Sequence, residues 1–138
     1  MIVRFALPVM ITVAFADLAL AQPVQKPSSG IGYPSVAAAL EAVKSKPGVR
    51  VTVQQGWIVI EDRATMTVWS FTPPGNPAHP TAVRREVKQA KDGSVNIEQR
   101  VLCQAAKGPC DKINAEFVEL NSKMRRAIER DRPRSDRR

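Results

Sequence analysis

Residues 82–104 read AVRREVKQAKDGSVNIEQRVLCQ, and their alternation decides the fold. Lys91, Asp92 and Gly93 interrupt two runs of β-type character, and Asp-Gly between alternating runs is a strong hairpin signal. On the strand expected over residues 82–89, Val83 and Val87 share one face, with Arg84, Glu86 and Lys88 on the other. On the strand expected over 94–104, Val95, Ile97, Val101 and Cys103 share a face opposite Asn96, Glu98 and Arg100. A period of two with one apolar and one charged side predicts an antiparallel sheet covered on a single face.

Downstream, the cover is a helix over about residues 109–130. Ile113, Phe117, Leu120 and Met124 form its apolar seam, extended by Ala127 or Ile128. Upstream, strands are expected at 49–54, 57–62 and 65–72, with turns at Gln55-Gly56 and Arg63-Ala64. Before them Ser35 can cap a short helix in which Val36, Ala39, Leu40 and Val43 make one stripe, and Pro47-Gly48 stops it. Helix, five-stranded antiparallel meander, helix: the fold class is α+β, with the C-terminal helix packed on one sheet face. No internal repeat is visible.

The ends differ from this middle. Residues 1–21 combine Arg4, an apolar run of about 12 residues and Ala19-Leu20-Ala21, the layout of a cleavable secretory signal. That run is too short for a ~30 Å hydrocarbon core. No Cys follows the small residues and no Arg-Arg pair precedes the run, so neither a lipoprotein anchor nor twin-arginine export is expected. Export to the periplasm, or secretion, is the expectation. Residues 22–32 (QPVQKPSSGIG) read as a flexible lead-in, and residues 33–130 as a single domain. Residues 131–138 read as a disordered basic tail. The whole chain carries +8, and residues 123–138 hold eight basic and three acidic side chains, leaving only +3 for residues 22–122.

Cys103 and Cys110 are the only cysteines. In an exported chain an even count favours a disulfide. Here it would tie the last strand to the second helix, contributing roughly 2–3 kcal/mol in the chain-entropy model. Cys-x₆-Cys is not the Cys-x-x-Cys of redox enzymes, and an apolar face disfavours the thiolate. His79 is the only histidine, within Pro73, Pro74, Gly75, Asn76, Pro77, Ala78, His79 and Pro80. Four prolines stiffen that loop, which suits recognition, because little entropy is lost when a partner docks. It equally suits a defined crossover. A metal would need further nitrogen or sulfur ligands, and no Gly-x-Ser-x-Gly elbow accompanies the histidine. Trp57, Trp69 and Phe71 are core aromatics on one reading and a contact surface beside the loop on the other. The basic tail lacks interleaved aromatics, so nucleic acid is not its expected partner. A solubilising role comes first, and adhesion to an anionic envelope component second.

The stretch 40–49 with Gly56-Trp57, Trp69-Ser70-Phe71-Thr72-Pro73-Pro74-Gly75, Pro77-Ala78-His79-Pro80, Arg84, Cys103 and Cys110-Asp111 resembles a family of short exported proteobacterial proteins of uncharacterised function. The likeness spans nearly the whole mature chain. It implies export and a shared fold, and carries no catalytic residue. Where such relatives would show Gly-His-Pro-Ala, this chain has Gly75-Asn76-Pro77-Ala78.

Together these features point to a non-enzymatic periplasmic binding or accessory module without metal or cofactor. Its contact surface would be the loop residues Pro73, Pro74, Gly75, Asn76, Pro77, His79 and Pro80 with Trp69, and its partner a periplasmic protein or an anionic envelope component. The alternatives are a small redox or hydrolytic enzyme, and an envelope-adhesion protein acting through its tail.

Overall fold

The computed structural model describes residues 30–132. The expected signal (1–21), most of the lead-in and the end of the tail lie outside them. Helix α1 (Val36–Lys44) is followed by strands β1 (Arg50–Gln54), β2 (Trp57–Asp62), β3 (Thr67–Phe71), β4 (Thr81–Gln89) and β5 (Val95–Cys103), then by helix α2 (Lys107–Asp131). The strands form one sheet in sequence order, each antiparallel to the next. This is the expected α+β meander.

Local chemistry explains each junction. Ser35 Oγ accepts from Ala38 N at 3.1 Å and caps α1. Gln55 and Gly56, at φ 50° and 81°, make the two-residue β1–β2 turn, both positive as a type I′ hairpin requires. Gly56 is needed for space as well: a Cβ there would lie 3.0 Å from the Pro73 ring. The β2–β3 turn is longer than the two residues expected. Asp62 Oδ1 accepts from Thr65 N, and Met66 takes φ 52°, so β3 starts at Thr67 rather than Thr65. In the β4–β5 turn Ala90 N donates to Ser94 O at 2.8 Å, and Gly93 takes φ 79°.

Both sheet faces are covered, which corrects the expectation of one wet face. Register places Ile60, Trp69, Arg84 and Arg100 in one row, with Ile58, Phe71, Ala82 and Leu102 in another on the same face. There α1 lays Val36, Ala39 and Val43 over Ile60, Trp69, Phe71 and Ala82. Ile31 joins this core at 1 % exposure, so the end of the expected flexible lead-in is part of the packed domain. The charged side chains that suggested a wet face sit farther along β4 and β5. Arg84 pairs with Glu86, while Lys88 and Arg100 both pair with Glu98.

The opposite face carries α2, where Ile113 and Phe117 pack with Val83 and Ala78, and Trp57, Val101 and Cys103 close the cluster. The expected seam is half right. Leu120 is 41 % exposed, and Asn121 takes its place among the buried residues. Across from it lie Gln99, which accepts from Asn121 Nδ2, and Arg85. Arg85 lies over the Phe117 ring at 5.2 Å, and its Nη1 donates to Met124 Sδ at 3.4 Å. Polar groups on the sheet therefore ask for a polar residue on the helix. Helix α2 also begins at Lys107, two residues before the expected start, and reaches Asp131, the first residue of the expected tail.

Candidate functional site

The loop of residues 73–80 joins β3 to β4 at the end of the sheet where α1 begins and β5 finishes. Its base is a threonine pair. Thr72 N donates to Thr81 O at 3.1 Å, and Thr81 N donates to Thr72 Oγ1 at 2.9 Å. Both threonines are buried, and Thr81 Oγ1 donates to Ala78 O. Buried polar groups are thus satisfied by one another.

Within the loop, Asn76 N donates to Pro73 O at 3.0 Å and His79 N to Asn76 O at 2.9 Å. Asn76 Oδ1 accepts from Ala78 N at 2.8 Å, an Asx turn of the kind this side chain favours. Ala78 is almost fully buried against Ile113 and Phe117. Pro80 O accepts from Gln104 N at 2.9 Å, while Gln104 Oε1 accepts from Val36 N at 3.0 Å. One glutamine therefore joins the loop, the end of β5 and the start of α1.

The tip is what remains. Pro74, Gly75, Pro77 and His79 are exposed, with Pro73, Asn76 and Pro80 half-buried. The ring of His79 is oriented by Nδ1, 3.0 Å from Thr72 O. A carbonyl can only accept, so Nδ1 is the donor in this contact, and the ring stands exposed. A shallow cavity of about 100 Å³ lies between Asn76, Pro77 and Ala78 on one side and Pro109, Ile113 and Lys112 on the other.

Trp69 does not join this surface. It is 5 % exposed, on the α1 face, stacked on Phe71 at 6.2 Å and edge-on to Tyr33 at 5.7 Å. Arg84 lies over it at 5.8 Å. Phe71 is core as well, and Trp57 packs on Phe117 at 5.8 Å in the other layer. The three aromatics divide between two cores.

Cys103 and Cys110 are bonded, with Cα atoms 5.7 Å apart, inside the range a disulfide needs. The bridge fastens the first turns of α2 to β5 beside the loop. Among the described residues no group of three or more His, Cys, Asp or Glu side chains could hold a metal ion, and no helix is long and apolar enough to cross a membrane.

The sequence reading passed over Arg85 and Asn121. Arg85 Nε and Asn121 Oδ1 are buried with no hydrogen-bond partner among the described residues, and no carboxylate there pairs with the guanidinium. Burial pushes the Arg85 pKa down, yet a guanidinium stays charged in proteins. Arg85 could have been found, because it alternates with Val83 and Val87. Asn121 follows Phe117 by four residues, on the same helix face.

Compared with known proteins, the chain matches no family model, no curated protein and no solved structure.

Proposed function

We propose that this is an exported, non-enzymatic binding or accessory module of the periplasm, whose contact surface is the tip of the 73–80 loop. The observation that carries this reading is a division of labour inside the loop. Thr72, Thr81, Ala78 and Pro80 are taken up by the scaffold, whereas Pro74, Gly75, Pro77 and His79 stand exposed on a backbone already pinned by its own hydrogen bonds. A partner meeting such a surface has little conformational entropy to remove. The exposed groups, proline rings and one imidazole with no Lys or Arg among them, suit a protein or peptide surface better than a polyanion.

A photoreactive amino acid at position 77 in the periplasm tests this, with a control at position 115 on the exposed side of α2. The expected result is a discrete cross-linked adduct at 77 that is missing at 115 and competed away by unlabelled protein. No adduct, or the same adducts at both positions, would overturn the loop as contact surface.

A further inference from the structure

The two edges of the sheet are treated differently. β5 is overlaid by α2, and its other face holds Glu98 and Arg100 in ion pairs with Lys88 and with each other. β1 has none of these devices. Its five residues pair with β2 without a bulge, it contains no Pro, its one charged residue is Arg50 at its first position, and no described strand lies along its outer side. Val53 is 69 % exposed and Val51 42 % exposed, both on the α1 face. Natural edge strands are ordinarily blunted by charge, proline or bulges, because an open regular edge invites another strand.

We infer that β1 is a self-association edge, on which a second copy of this chain adds its own β1 antiparallel across a two-fold axis at Thr52. The register follows from the sequence Arg50-Val51-Thr52-Val53-Gln54. With Thr52 on the axis, Val51 meets the partner's Val53 and Val53 meets the partner's Val51. Four valines then make one stripe continuous with Ile58 and Ile60 of each copy. Arg50 meets the partner's Gln54, so no like charges face each other. The two Arg50 positions stand about 14 Å apart along the strands, beyond the ~8 Å screening length at physiological salt. Thr52 faces its own counterpart, a favourable cross-strand pair. A two-fold contact is isologous, so it closes at a dimer and builds no fibre.

A five-residue strand pair covers less than the roughly 800 Å² per partner of a standard stable interface. The dimer is therefore reversible, and it strengthens with salt because each copy carries +8. Sedimentation velocity on the full mature chain across concentrations up to about 1 mM tests the inference, together with Val53→Lys and Thr52→Cys. The expected results are a concentration-dependent shift from monomer to dimer mass, and at least a tenfold weakening by Val53→Lys with unchanged circular dichroism. Because the native cysteines are bonded to each other, Thr52→Cys supplies the one free thiol. It should oxidise to a covalent dimer far faster than Met66→Cys, although Met66 is the more exposed of the two positions. A monomer at every concentration, a dimer indifferent to Val53→Lys, or equal cross-linking at 52 and 66 would each overturn the assignment.

Discussion

Helix α1 has nine residues and buries Val36, Ala39 and Val43; helix α2 has 25 and buries only Ile113, Phe117 and Asn121. The short helix sits on an apolar layer that includes Ile60, Trp69 and Phe71, is capped by Ser35, and is braced at both ends. Gln104 holds its first turn, and Lys46, just beyond its last turn, pairs with Asp62 at 2.6 Å. That contact holds the buried Asp62 carboxyl below its ordinary value. The long helix follows Ala106, which gives it no side-chain cap, has no acidic residue in its first turn, and faces Arg85 and Gln99 beyond Phe117. What it has instead is the Cys103–Cys110 bridge. One layer is held by packing, the other by a covalent tie at one end. A thin, partly polar interface can keep a long helix in place when its start cannot drift from the sheet.

The comparison breaks if the α1 layer proves dispensable. Phe71→Ala removes a fully buried ring from it and should lower unfolding free energy by about 3–5 kcal/mol in urea titrations. A loss under about 1 kcal/mol would mean that layer is not the structural centre. Next in size, the double change Cys103→Ser, Cys110→Ser should cost about 2–5 kcal/mol by the same measurement. A loss under about 1 kcal/mol would show that α2 holds by packing alone.

Arg85→Met sharpens the contrast from the polar side. The guanidinium is buried with an orphaned Nε and no described carboxylate, so an apolar side chain of similar length should raise stability by about 1 kcal/mol. A clear loss would reveal a partner for the charge. The smallest effect belongs to the ion pairs on the exposed end of the α1 face. Hydrogen bonds and charge from Lys88, then Arg100, hold Glu98 at about 2 against an ordinary 4.5. A depressed carboxylate stabilises above its unfolded pKa and loses that contribution as pH falls through the folded one. Melting temperatures of the wild type should therefore decline more steeply than those of Glu98→Gln between pH 4.5 and about 2. High salt should erase most of the difference, because the groups are solvent-screened.

Much of the architecture was legible in the chain. Strand alternation around Asp92-Gly93 foretold the hairpin, and the pair Ile113 and Phe117 foretold which face α2 presents. Cysteine number, with the expectation of export, foretold the bridge. The second covered face was hidden because β4 and β5 change character along their length. Ala82 and Leu102 lie under α1, while Glu86, Lys88 and Glu98 on the same side reach water, and a reading of alternation averages over that change. Leu120 looked like core because helical spacing cannot know that Arg85 and Gln99 await across the interface. In the loop, proline content foretold stiffness and Asn76 offered a turn signal. The mutual satisfaction of Thr72 and Thr81 needed coordinates, because it joins residues nine apart through a fold-dependent contact. Trp69 was separated from the loop by strand register alone.

Hydrogen exchange on the oxidised protein and on the Cys103→Ser, Cys110→Ser double variant tests most directly whether the two helices are held by different means. Amides of α2 should lose protection by at least tenfold in the variant, while those of α1, β2 and β3 keep most of theirs, since local opening tracks local contacts. Uniform loss across both layers, or α2 amides as protected as before, would contradict it.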